Sequence, residues 1–316
     1  MSADAFPMTD YRGLLFIGDP HLEGRVPGFR KDDYPQTILG KLRFCLDYAR
    51  KERLLPTMLG DIFNFPRDNP NWLICAFLDL LDQRVLGIVG NHDIRENTLT
   101  PHDSLSIISR AGGLQLLDDA TRFQGVIGGR PVVVGGTPWG GQIPREFERG
   151  VGPNAEVPLV FWVTHHDIDV PGYDGCIRPF EIAGIDAVIN GHIHRRLGAT
   201  DAGTTRWITP GNISRVRRSE SARVRIPAAL RIDIGPTGWA FDWVEIPHEP
   251  FDEVFYPAAV ETHEERRDSE FMAGLAELLS RKTESGAGLG AFLDRNLERY
   301  DDDIAREIRA LANDTV

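Results

Sequence analysis

Five times along this chain a short apolar run stops abruptly at residues that can hold a metal ion. Leu14 to Gly18 runs into Asp19 and His21, Pro56 to Leu59 into Asp61, and Leu86 to Val89 into Asn91, His92 and Asp93. Pro158 to Val163 leads to His165 and His166, and Ile185 to Ile189 to His192 and His194. Short apolar runs bounded by glycine and polar residues read as buried strands. In open α/β sheets the carboxyl ends of such strands gather at one edge, and ligands bind there. A chain that repeats the pattern five times is thereby constrained to a sheet fold with one polar edge. Any other arrangement would scatter these groups and bury several without partners.

The segments between the runs agree with that constraint. Ile38, Leu42, Cys45 or Leu46, and Ala49 fall at helical spacing and predict a helix over 36–53; a second is predicted over 71–81. The first third therefore reads strand, helix, strand, helix, strand. After a helix at 104–110 come short strands at 114–117, 121–126 and 131–134, then a loop, Gly135 to Pro144, carrying Trp139. Trp207 to Thr209, Ala229 to Ile234 and Trp239 to Ile246 alternate like antiparallel strands and are expected to close a second sheet. The fold class expected is α/β, a two-sheet sandwich with helices outside.

Composition narrows the function classes. With 316 residues, 41% of them hydrophobic, the chain can bury one large core and carry an appendage. No stretch is apolar for the ~20 residues of a membrane span, and the first ten residues lack a basic, apolar leader, so a soluble cytoplasmic protein without membrane contact is expected. Cys45, Cys75 and Cys176 sit in two helical patterns and a loop, with no disulfide framework. The formal net charge is −12, but most of it lies beyond Glu245. The near-neutral body leaves a nucleic-acid substrate open. In the tail, Phe271, Leu275, Leu289, Leu293, Leu297, Ile304 and Ile308 form an apolar stripe interrupted at Gly286, Gly288 and Gly290. Two acidic amphipathic helices are expected there, needing a surface that belongs either to this chain or to a partner.

At Asp19-Pro20-His21, Gly60-Asp61, Gly90-Asn91-His92-Asp93, His165 and Gly191-His192-Ile193-His194, the chain resembles the calcineurin-like metallophosphoesterases. The resemblance implies a four-layer α/β/β/α domain over residues 13–248, after a flexible lead at 1–12 and before the tail at 249–316. It implies that one metal takes Asp19, His21 and His194, the other Asn91, His165 and His192, with Asp61 bridging. His165 and His166 compete for one position, and the first imidazole after the strand is favoured. Two divalent cations are expected, manganese first, with iron, zinc or magnesium as alternatives. Such a pair polarises a phosphate ester and acidifies water. His92, beside a ligand but not itself one, is then placed as general acid, with Asp93 orienting its ring. His166, Arg195 and Arg215 are candidate substrate-binding residues.

The stretch from Asn190 to Arg195, with Ile208-Thr-Pro-Gly-Asn-Ile-Ser-Arg215, looks like the SbcD branch, the nuclease subunits of double-strand-break repair complexes. That likeness implies DNA as substrate, with Arg215, Arg217, Arg218, Arg223 and Arg225 tracking phosphates. It also implies an SMC-like ATPase docked on the C-terminal helices. Whether the chain also pairs with a second copy of itself is left open by the sequence. The sequence lacks room for that branch's capping domain. A phosphatase or cyclic-nucleotide phosphodiesterase, and a metal-binding protein without catalysis, are the competing readings.

Overall fold

The computed structural model describes residues 7–152, 155–216 and 218–257. The chain divides into two compact units, Met1–Tyr256 and Pro257–Val316. The helices predicted in the tail, and Arg217, lie outside the described residues.

The first unit opens with β1 (Gly13–Ile17), α1 (Tyr34–Glu52), β2 (Leu54–Met58), α2 (Asn71–Leu78), β3 (Leu86–Gly87), α3 (Ser104–Arg110) and β4 (Gln115–Leu116). It continues with β5 (Phe123–Ile127), β6 (Arg130–Thr137), β7 (Leu159–Thr164), β8 (Ala187–Asn190), β9 (Gly198–Ala202) and β10 (Thr205–Thr209). The last elements are α4 (Glu220–Val224), β11 (Ala228–Gly235), β12 (Gly238–Glu245) and α5 (Phe251–Val254). They form two six-stranded sheets, ordered β12-β11-β1-β2-β3-β4 and β5-β6-β7-β8-β10-β9.

Period-two alternation explains how the layers stack. In β1, Leu15 and Ile17 face the α1 stripe of Ile38, Leu42, Cys45 and Ala49. Leu14 and Phe16 face the other sheet, where they meet Val132, Val134, Phe161 and Val163. Each such side chain taken fully from water stabilises the fold by about 1.5–3 kcal/mol. The outer face of the second sheet, with Val133, Val160, Trp162 and Val188, is covered by Ile143, Phe147, Ile168 and Phe180 from its irregular connections.

The expected two-sheet sandwich is present, but one assignment of strands needs correction. β11 and β12 do not close the second sheet; β11 runs antiparallel to β1, with Gly13 opposite Asp233, and β12 lies outside it. Alternation says that a strand has a buried face without saying which sheet it joins. The four parallel strands β1 to β4 leave one edge of β1 open, and β11 fills it. The lead is also less detached than expected: the Val126 N–H donates to the Pro7 carbonyl at 2.9 Å, tying residues 7–11 along β5. Past β12, Phe251, Val254 and Phe255 pack with Ala222 and Phe29, so residues beyond 248 still belong to the first unit's core. Among the described residues, no helix is long and apolar enough to cross a membrane.

Candidate active site

The ends of β1, β2 and β3 in one sheet and of β7 and β8 in the other meet at one edge. Asp19, His21, Asp61, Asn91 and His165 are all buried there, and His192 and His194 are partly exposed. The chain must turn sharply after each strand to bring these side chains back over the edge. Asp19, His21, Asp61 and His192 accordingly have φ of 32°, 51°, 46° and 68°, in the left-handed region that non-glycine residues rarely adopt. Close approach of the loops dictates the glycines. A Cβ on Gly90 would lie 2.3 Å from the Asp61 carboxylate, and one on Gly191 would lie 2.2 Å from the Leu59 carbonyl.

Donor atoms converge in two groups. Asp19, His21 and His194 form one, and Asp61, His165 and His192 the other, with the donor atoms of each group within 4.8 Å of one another. Asn91 completes the second group: its Oδ1 is 3.1 Å from His165 Nε2 and 3.0 Å from His192 Nδ1. In the first, His21 Nε2 and His194 Nε2 face each other at 2.9 Å. Donors set ~2.0–2.2 Å from one ion and at right angles stand about 3 Å apart, so these spacings suit a shared cation. Asp61 lies between the groups. Its Oδ1 is 3.3 Å from His165 Nε2, and its Oδ2 is 3.8 Å from His21 Nε2.

Electrostatics supply an independent test of fit. Both carboxylate oxygens of Asp19 are buried, and no hydrogen bond of normal geometry reaches them. The closest imidazole nitrogens stand at 3.8 Å (His194) and 3.9 Å (His165). Burial pushes this carboxyl up to about 7. A buried carboxylate without donors is costly, and a cation removes the cost. Burial also acts to raise Asp61, but His165, His92 and His21 around it hold it well below the usual carboxylate range. Burial acts to lower His165, yet the Asp61 carboxylate outweighs it and raises the ring to about 9. His165 Nδ1 donates to the Leu59 carbonyl at 2.6 Å, which leaves Nε2 aimed at Asp61 and Asn91. This is the tautomer that a metal-binding histidine needs.

Of the two neighbouring histidines, His165 lies in a donor group and His166 points elsewhere. His166 is 5% exposed, burial lowers its ring to about 4, and its Nε2–H donates to the Gly141 carbonyl at 2.9 Å. It anchors the loop carrying Trp139, whose ring lies 4.8 Å from His192, and does not present itself to a substrate.

Asp93 also differs from expectation. It is buried and accepts from the N–H groups of Phe63 at 3.0 Å and Gly90 at 2.9 Å, clamping two of the ligand loops together. The His92 ring is oriented instead by Asn64, whose carbonyl accepts from Nδ1 at 2.9 Å. The His92 backbone N–H donates to Asp61 Oδ1 at 2.8 Å. A ring nitrogen of His92 falls within 4.8 Å of donors on His21 and Asp61, so the side chain faces the centre.

Arg215 is corrected as well. It is 5% exposed and donates to the carbonyls of Glu249 at 2.8 Å and Arg225 at 2.9 Å. Arg225 turns inward to the carbonyls of His194 and Ser214, and Arg223 pairs with Asp252. These arginines brace the C-terminal part of the unit. Arg195 is exposed beside His194, with Nη1 donating to the Gly172 carbonyl at 2.8 Å.

Sequence reasoning missed Asn64, Leu59 and Gly141 because they act through backbone carbonyls, which no residue type reports. It also missed Asn190. Its Oδ1 accepts from Thr164 and the His166 N–H, and its Nδ2 donates to the His166 and Gly191 carbonyls, joining the two ligand loops of the second sheet. A polar residue inside a buried strand was the available signal.

Residues 13–196 match the sequence pattern of the calcineurin-like phosphoesterases. The chain belongs to the calcineurin-like phosphoesterase family. Its members are metal-dependent hydrolases of phosphoester bonds that typically bind two divalent metals, and this chain has candidate His/Asp groups for metal binding. Similar solved structures include a hypothetical protein from Thermus thermophilus (13% identity, TM-score 0.40, covering 74% of this chain and 100% of that one). TT1561 of the same organism gives 11% identity and a TM-score of 0.42, over 74% and 99%. The calcineurin-like phosphoesterase YfkN from Bacillus subtilis gives 11% and 0.39, over 85% and 98%. No curated protein matches the chain.

Proposed function

We propose that this phosphoesterase is a phosphodiesterase using two divalent cations, manganese foremost, and that its substrate is DNA. The observation that carries the two-cation reading is Asp61, whose two oxygens face two separate donor groups. Asp19, His21, His194 and Asp61 would hold one ion, and Asp61, Asn91, His165 and His192 the other. Bound there, the cations supply Lewis acidity toward the phosphate ester and acidify water at neutral pH.

The chain's own residues supply the rest. The carbonyl of Asn64 can only accept, so His92 Nδ1 carries a proton and Nε2 is the atom presented outward. In its imidazolium form, Nε2–H is the proton source for the leaving alkoxide. The backbone N–H of His92, donating to Asp61 Oδ1 at 2.8 Å, helps keep that carboxylate from rotating. Leu59 and Asn190 fix the ligand loops before any substrate arrives, the preorganisation on which electrostatic stabilisation depends.

DNA is favoured by the likeness of residues 190–195 and 208–215 to the SbcD branch. Phosphate tracking by Arg215, Arg223 and Arg225 no longer supports it, since all three are engaged within the protein. Hydrolysis of bis-p-nitrophenyl phosphate and of linear DNA with manganese tests the reading. Cleavage of p-nitrophenyl phosphate alone, with both diesters untouched, would replace it with a phosphatase. The tail is proposed to dock an SMC-like ATPase; a tail-deleted protein should then fail to co-purify with that partner.

A further inference from the structure

Beside His92 the loops 20–30 and 64–72 and the turn at 92–95 enclose a cleft of about 570 Å³, lined by Glu23, Arg25, Phe65, Arg67, Trp72 and Arg95 among others. Small-molecule sites span roughly 300–1,000 Å³. The cleft adjoins the segment that orients His92. Asn64, which orients His92, also donates from its amide to Glu23 at 2.9 Å, and Phe65 is the next residue. Asn64 therefore links His92 to the wall of the cleft.

Its walls have an unusual composition for a protein surface. Phe65 is 50% and Trp72 44% exposed, and among the described residues neither ring stacks on another ring or under a guanidinium. α2 buries Leu73, Ile74 and Phe77 in the core, so it has an apolar face without Trp72, which is left turned outward. Arg25, Arg67 and Arg95 line the cleft together with Glu23 and Asp68, and Arg67 is fixed by Asp103 and Glu96. The two loops are pressed together: a Cβ on Gly24 would lie 2.4 Å from Pro70. The cleft is thus formed in advance rather than by closure. Exposed aromatic faces with guanidinium groups beside them are what proteins use to stack bases while following a phosphate backbone.

We infer that this cleft is a nucleobase subsite, in which Phe65 and Trp72 stack a base flanking the scissile phosphodiester. The inference rests on the phosphodiesterase reading and narrows its substrate to nucleic-acid diesters with an unpaired, accessible base. A base within a duplex is already stacked on its neighbours and would have to be splayed out first.

The test uses the full-length, manganese-loaded protein and a non-cleavable dithymidine joined by a methylene phosphonate, with two analogues each lacking one base, titrated by calorimetry. One of the analogues should bind on the order of 10-fold more weakly than the intact probe. Trp72→Ala should weaken the intact probe by a similar factor and leave that analogue unchanged, while Trp72→Phe keeps most of the affinity. Phe65→Ala is a second variant at an exposed position, should Trp72→Ala misfold. Equal affinity for all three probes, or an equal loss on intact and base-lacking probes in the variants, would overturn the subsite. Hydrolysis of bis-p-nitrophenyl phosphate is measured alongside. Its absence with base-dependent binding intact would remove the diesterase reading alone, and its presence without base dependence would remove the subsite alone.

Discussion

Replacing His92 by asparagine should separate metal binding from chemistry. The backbone N–H bond from residue 92 to Asp61 Oδ1 survives any substitution of the side chain. An asparagine amide can also donate to the Asn64 carbonyl that now holds Nδ1. What disappears is the ring that meets His21 edge-on at 4.9 Å, and with it Nε2. Removing a general acid typically costs ~10²–10⁴ in rate, or ~2.7–5.5 kcal/mol at 1.36 kcal/mol per decade. That cost should fall almost wholly on substrates with poor leaving groups. Against DNA, His92→Asn should lose ~10²–10⁴ in kcat. Against bis-p-nitrophenyl phosphate, whose leaving phenolate needs no proton, the loss should stay within about tenfold. Both metals, counted by elemental analysis after dialysis, should remain. An equal loss on both substrates with both metals bound would show that His92 stabilises charge without donating a proton. Loss of one metal would make it a ligand.

Three further outcomes follow from the packing. Gly191→Ala should lower metal affinity and the thermal midpoint, because its Cβ would meet the Leu59 carbonyl at 2.2 Å and His165 Nδ1 at 2.8 Å, whereas Gly112→Ala, with open space around it, should leave metal binding intact. Arg215→Ala should cost about 2–5 kcal/mol in urea unfolding, since two carbonyls lose their donor; the salt slope of DNA binding should not change, and a fall of about one would restore Arg215 to phosphate contact. Burial, with Arg215, Arg30 and Arg225 nearby, lowers Lys41 from 10.5 to about 7. Between those pH values the unfolded chain holds a proton that folded Lys41 has shed, so this residue makes stability rise with pH. Lys41→Met should flatten that rise in urea titrations, and an unchanged slope would mean that Lys41 keeps its proton.

The convergence of these donor side chains was legible because each is a polar side chain placed where an apolar strand ends, and strand ends converge in an α/β fold. The helices α1 and α3 were legible for a similar reason, since the period of burial is written in residue type. The sheet membership of β11 and β12 was not, because it depends on which neighbour's edge is open. Asp93 and Arg215 were misread because sequence gives charge without direction: both side chains turn onto backbone groups, away from the substrate side. The carbonyls of Leu59 and Asn64, which set the tautomers of His165 and His92, belong to the backbone and left no trace in composition.

The central claim is that Asp61 bridges two cations. Crystals equilibrated with manganese and measured at its absorption edge test it most directly. The account predicts two anomalous peaks, one on either side of the Asp61 carboxylate, ~3.5–4 Å apart. A single peak under saturating manganese, or two peaks that do not share Asp61, would contradict it.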